Sequence, residues 1–318
     1  MKTLKFLGLG VVFLLILSAA TTQAARIWIE ARVPQDGTRI DVGGTRLHVL
    51  DRGEGPIIVL IHGLMGQMRN FAPELIDALS KDHRVILVDR PGSGYSDPLP
   101  AGANGIASQA DLIASLIEQM ELEKPTVVGH SLGGAVAISL ALDHPNSVGS
   151  LALIAPATRP RSEANSTFGP LAIEPAPLRR AISLTFGTPF GLAIFERSAA
   201  ALFAPEPLPA DFATAGGGLL SLRPENYIAG SNDIKSLRDA LADLPTRYGQ
   251  LEMPVGVLFG SDDQVVDKNW NGIWLKSQLA NATYAEIEGG HMIPFSSPQL
   301  VADWIAAVAN RAHSKTAN

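Results

Sequence analysis

The chain alternates between two kinds of apolar pattern, and their order predicts the architecture. Arg39 to Val42 and Arg46 to Asp51 alternate apolar and polar residues around Gly43-Gly44, the pattern of a hairpin with a glycine turn. Ile57 to Ile61, Val85 to Val88, Thr126 to Val128, Val148 to Ala155, Val255 to Phe259 and Thr283 to Ile287 are short, nearly solid apolar runs. Such runs mark strands covered on both faces. Between them, Phe71 to Ser80, Ala110 to Met120, Ala135 to Leu142, Trp270 to Leu279 and Pro298 to Ala312 carry helical spacing or composition. Strand and helix alternate with short connections, which predicts a mostly parallel sheet wrapped by helices on both faces and led by an antiparallel hairpin.

The rhythm breaks once. From Pro156 to about Gln250 there is no solid strand run. Prolines, a Gly216-Gly217-Gly218 break and helical patches at Leu192 to Phe203 and Ile234 to Leu244 take its place. This predicts a helical insertion over the sheet's top edge. The expected organisation is an N-terminal segment at 1–25, a first core part at 26–156, a helical cap at 157–250 and a second core part at 251–318.

The first segment has its own pattern. Lys2 and Lys5 precede an apolar run from Phe6 to Leu17, followed by small and polar residues to Ala25. That is the order of an export signal, cut near Ala20 or Ala24, or of an uncleaved membrane anchor. The chain is therefore expected to be exported (periplasmic or secreted) or held at the inner membrane, touching lipid only through this segment. The net charge of −6, without a run of Lys or Arg, argues against nucleic acid or an anionic membrane surface as the main partner. The absence of cysteine excludes disulfides, thiolate metal sites and a cysteine nucleophile. No metal site or cofactor is expected: the histidines lack i, i+4 pairing. Oligomeric state is not legible.

Chemistry gathers at the strand ends. Gly129-His130-Ser131-Leu132-Gly133 is a Gly-x-Ser-x-Gly between a strand and a helix, a turn that pushes a serine hydroxyl out of the sheet top. A serine needs a base, and the base an orienting acid. His291 lies in Gly289-Gly290-His291, beyond the last strand, where ligands meet such sheets. His62 and His130 lie at the same edge but flank other elements, and His62 is expected to shape its loop. Gly260-Ser261-Asp262-Asp263 follows the preceding strand and offers Asp263, with Asp262 in reserve.

These motifs, with His62-Gly63-Leu64 and Asp89-Arg90-Pro91-Gly92-Ser93-Gly94-Tyr95-Ser96, resemble the α/β-hydrolase superfamily, in its order of Ser, Asp, His. The resemblance spans about Arg39 to Asn310. It implies an α/β fold with an eight-stranded sheet and a helical cap inserted after the sixth strand. It favours Asp263 over Asp262, and it implies an oxyanion hole from the backbone N–H groups of Leu64 and Leu132. It also sets Arg90 and Ser96 beside the site rather than in it. The expected activity is ester hydrolysis through an acyl-enzyme on a small-molecule ester substrate. A carbon–carbon bond hydrolase, lactonase, amidase or perhydrolase is the alternative on the same triad, and a non-catalytic binding protein the alternative of another class. Met65, Met68 and Met292 near the motifs, with Phe168, Phe186, Phe190, Phe195, Phe203 and Phe212 in the insertion, suggest an apolar pocket for short to medium acyl groups or, equally, packing of cap on sheet.

Overall fold

A computed structural model describes residues 2–100, 102–103, 105–160, 171, 173 and 175–316. Phe168 lies outside these. Eight strands form one sheet: β1 (Thr38–Val42), β2 (Thr45–Arg52), β3 (Ile57–Ile61), β4 (Arg84–Val88), β5 (Thr126–His130), β6 (Ser150–Ile154), β7 (Val255–Gly260) and β8 (Ala282–Ile287). Their spatial order is β1-β2-β4-β3-β5-β6-β7-β8. Only the β1–β2 and β2–β4 pairs are antiparallel. The leading hairpin turns at Gly43 and Gly44, with φ of 59° and 90°, values that glycine adopts without strain.

The solid apolar strands are explained by their two faces. On β3, Ile58 and Leu60 join a core with Leu75, Val301 and Ile305. Val59 and Ile61 join another with Ile113, Leu116 and Val136. Successive side chains point to opposite faces, and both faces are covered. Helices α2 (Pro73–Leu79) and, from the C-terminus, α10 (Pro298–Thr316) cover the first face. Helices α3 (Gly105–Gln119) and α4 (Leu132–Asp143) cover the second. Every residue of α4 from Leu132 to Leu142 is buried, so it is a core helix with no solvent face.

The insertion between β6 and β7 holds α5 (Ala176–Ile182), a wide turn at Ser183–Gly187, α6 (Thr188–Phe203) and α7 (Pro224–Arg247). After β7 come α8 (Trp274–Gln278) and, past β8, the short α9 (Ile293–Ser296).

The apolar segment read as an export signal or membrane anchor does not end as an element at Ala25: one helix, α1, runs from Lys2 to Arg32, and its last turns pack on the cap. Ile29 and Val33, four apart on one face, are fully buried against Leu219 and Leu220. Arg26 pairs with Glu30 at 3.1 Å and with Glu225 at 3.1 Å, and Glu30 with Arg223 at 2.8 Å. Polar residues in this stretch mask a helix whose apolar face is only two residues wide.

Candidate active site

The parallel strands bring their C-terminal ends to one edge, and the predicted residues converge there. Ser131 follows β5 directly. Its φ of 56° and ψ of −121° are sparsely populated for a residue with a side chain. The glycines around it permit the turn. A Cβ on Gly129 would lie 2.5 Å from the Gly133 carbonyl, and one on Gly133 would lie 2.3 Å from the Ile61 carbonyl. Ser131 is also the residue before α4, so Leu132 opens that helix and its N–H has no acceptor within it.

Asp263 follows β7 and His291 follows β8, the two strands beyond β6 in the sheet. His291 Nδ1 donates to Asp263 Oδ2 at 2.8 Å, and the Asp263 carboxylate is fully buried. Burial alone would raise its pKa. The charge and hydrogen bond of His291, with the N–H groups of Val266 and Val265, outweigh burial and hold it below the ordinary carboxylate value. The carboxylate thus fixes the tautomer that leaves His291 Nε2 unprotonated. Asp262, the reserve, is exposed and accepts from the Ser261 hydroxyl at 2.6 Å instead.

Ser131, His291 and Leu64 line one cavity of about 490 Å³ beneath the cap. The Ser131 hydroxyl makes no hydrogen bond to another described residue; such contacts commonly close only when substrate is bound. The loop carrying Leu64 packs directly on the serine: a Cβ on Gly63 would lie 3.0 Å from that of Ser131. Met65 and Met292 line the cavity, whereas Met68 is buried in the core beside Leu75. The cap phenylalanines divide. Phe186, Phe190, Phe195 and Phe212 line the cavity, while Phe203 is fully buried and packs edge-on against Phe212 and Phe295.

The remaining histidines hold the frame. His62 Nδ1 donates to the Gly63 carbonyl and its Nε2 accepts from the Arg90 N–H, both at 2.9 Å. Burial and the Arg90 charge push its pKa down to about 3, so it stays neutral. His130 donates through Nε2 to the His291 carbonyl at 3.0 Å and is likewise held neutral, at about 3, by burial and by His291. Arg90 is wholly buried. Its guanidinium donates to the carbonyls of His62 at 2.9 Å and Gly63 at 2.7 Å, and to Gln109 and Asp233 at 2.8 Å each. It therefore joins the Leu64 loop to helix α7 of the cap. Ser96 donates to the Asp89 carbonyl at 2.6 Å, and neither it nor Arg90 lines the cavity.

Three contributors were not legible in the sequence. Glu206, in the cap between two prolines, accepts the N–H of Gly290 at 2.9 and 3.0 Å, next to His291. Gln67 and Asn70 both donate to the Gly216 carbonyl, at 2.8 and 3.0 Å, tying the loop after Leu64 to the cap. A lone acidic residue or amide in a loop carries no pattern of its own. Among the described residues no cluster of His, Cys, Asp and Glu has the form of a metal site.

Known proteins share these features to different extents. A stretch of 117 residues is 40% identical to the dihydrolipoyllysine-residue acetyltransferase component of the acetoin cleaving system of Cupriavidus necator. It covers 36% of this chain and 31% of that protein, so the chain spans about a third of that relative's length. A 2-hydroxy-6-oxononadienedioate/2-hydroxy-6-oxononatrienedioate hydrolase of Cupriavidus pinatubonensis is 25% identical over 250 residues, 74% of this chain and 81% of its own. Among solved structures, a bacterial membrane phospholipase A superposes with a TM-score of 0.71 at 21% identity, over 98% of this chain and 97% of that one. At that identity the likeness is one of fold. The profile of the alpha/beta hydrolase fold matches residues 56–298, which contain the sheet from β3 onward, the cap and all three converging side chains, and the chain belongs to that family.

Proposed function

We propose that this hydrolase cleaves carboxylic esters with apolar acyl groups, through a Ser131 acyl-enzyme. The observation that carries the reading is a strained serine at a helix N-terminus sharing an apolar cavity with a histidine already oriented by a buried carboxylate. In the first step His291 Nε2 takes the proton of Ser131 Oγ as that oxygen bonds the ester carbonyl carbon. Asp263 stabilises the imidazolium. The oxyanion accepts hydrogen bonds from the Leu64 and Leu132 N–H groups. The tetrahedral intermediate expels the alcohol, which leaves with the proton from His291. Water then enters, gives its proton to His291 and releases the acid, restoring the Ser131 hydroxyl.

The cavity also bears on the rival substrates. The hydrolase of Cupriavidus pinatubonensis is named for dienedioates, which carry two carboxylates. Among the described residues lining this cavity there is no Lys or Arg to receive them. Uncharged esters and lactones fit it better.

The test uses purified full-length protein with a fluorophosphonate label and a panel of p-nitrophenyl esters. Label on Ser131, and a loss of at least about a thousandfold in ester hydrolysis for Ser131→Ala, are expected. Near wild-type turnover by that variant overturns the assignment. Faster cleavage of a dienedioate than of any ester overturns the substrate class.

A further inference from the structure

Helix α1 packs against the Ser183–Gly187 turn and α6 of the cap, and both α1 and this part of the cap carry exposed apolar side chains. The described residues contain one helix long and apolar enough to cross a membrane, Gly8–Arg32. Phe6 to Ala25 holds no charged residue, and at 1.5 Å per residue it spans about 30 Å, the hydrocarbon thickness of a bilayer. Most of this stretch is bare: Leu9, Phe13 and Ile16 are each more than 60% exposed. At its far end, Trp28 lies under the Arg32 guanidinium, 4.4 Å from the ring centre. A tryptophan beside an arginine is a pairing suited to the headgroup level.

The depth of the cap follows from where α1 touches it. Thr22 is fully buried and donates to the carbonyl of Thr185, in the wide turn between α5 and α6. Thr22 lies only three residues before Ala25, so it sits just inside the hydrocarbon boundary when the helix spans the bilayer. Thr185 is held at that depth too. Around it Leu178, Leu184, Phe186 and Phe190 are apolar and exposed, with the charged Arg180 exposed among them. Of these, Phe186 and Phe190 also line the cavity. An exposed apolar surface attached to a spanning helix and set at the interface is unfavourable in water and favourable in acyl chains.

We propose that α1 is retained, that the Leu178–Phe190 face of the cap is immersed in the bilayer, and that the cavity takes its substrate's acyl chain from the bilayer, making membrane acyl lipids the substrate class. The last part rests on the ester reading above. The bilayer removes the lipid chain's need to cross water, and Phe186 and Phe190 form the apolar sill over which it passes.

The chain has no cysteine, so a single introduced one reports cleanly. Leu184→Cys and Leu178→Cys, each carrying an environment-sensitive fluorophore, are compared with Glu54→Cys in the exposed β2–β3 loop, all as full-length protein in phosphatidylcholine–phosphatidylglycerol vesicles. Quenching by acyl-chain nitroxide lipids is expected to be at least about threefold stronger at 184 and 178 than at 54. Equal quenching overturns the immersed surface, and it does so without reference to catalysis. An intact mass lacking residues 1–20 or 1–25 overturns retention. The double variant Leu178→Glu/Leu184→Glu, whose side chains lie outside the cavity lining, is expected to slow hydrolysis of vesicle phosphatidylcholine by about tenfold or more while p-nitrophenyl butyrate turnover stays within about twofold. Equal loss on both substrates, or no loss on vesicles, overturns the bilayer route. Wild-type protein that cleaves the soluble ester but no vesicle lipid overturns the lipid substrate. Protein that cleaves neither overturns the ester reading, and the quenching still decides the surface.

Discussion

At Ser131 the backbone is held in a conformation that only its surroundings can justify. Nothing in a serine favours φ of 56°; Gly133 lets the turn close against the carbonyls of Ile61 and His62, Gly129 lets it close on Gly133, and Gly134 lets it close on Pro156. Gly133→Ala would set a Cβ 2.3 Å from one carbonyl and 2.5 Å from the other, both backbone atoms that cannot swing aside. The variant should lose most ester turnover because the Leu64 loop is displaced, and a full kcat would contradict this. The two aspartates differ as sharply. Asp263→Asn keeps the shape but stabilises the wrong imidazole tautomer, and kcat should fall by about four orders of magnitude. Asp262→Asn, at an exposed side chain, should change kcat by less than about twofold. Comparable losses in the two would mean that the acid is misassigned.

Between elements, the important contacts run from the cap to loops at the sheet edge. Arg90, Gln67, Asn70 and Glu206 each join a site loop to the cap or the cap to a site loop. The pair of Arg90 and Asp233 is buried, so removing one partner leaves the other charge without access to water for compensation. Asp233→Asn leaves the guanidinium uncompensated and should cost about 3 kcal/mol, read as a lowered urea midpoint with unchanged slope. An unchanged midpoint would show that the pair contributes little. The sequence showed Arg90 within a motif but not Asp233, which lies in an ordinary polar helix 143 residues away. Pairing at that separation is set by how α7 lies on the sheet, and no local pattern records it.

For the whole molecule, two buried histidines govern behaviour in mild acid. His62 and His130 remain neutral in the fold down to about 3, against an ordinary value of 6.5. As pH falls below 6.5 the unfolded chain takes up protons that the folded chain refuses, so acid favours unfolding. The lowered carboxyls of Asp89 and Asp263 add to this loss only as pH falls below their ordinary value of 3.8. The denaturant midpoint should therefore drop between pH 7 and pH 5, before those carboxylates matter. A flat midpoint across that interval would contradict the burial of two neutral imidazoles.

The amino-acid sequence alone determined the eight strands and their alternation with helices, and it pointed to an insertion after the sixth strand and to three residues at one edge of the sheet. These are written in periodicity and in glycines flanking strand ends, which are local properties. It also carried the apolar N-terminal run, but not what that run touches. Only the tertiary structure decided that α1 continues to Arg32 and docks on the cap, that Phe203 packs while Phe186 and Phe190 line the cavity, and that Glu206 braces the His291 loop. An apolar side chain reads the same in sequence whether it faces core, cavity or lipid. Which of these it meets depends on the packing of elements distant along the chain.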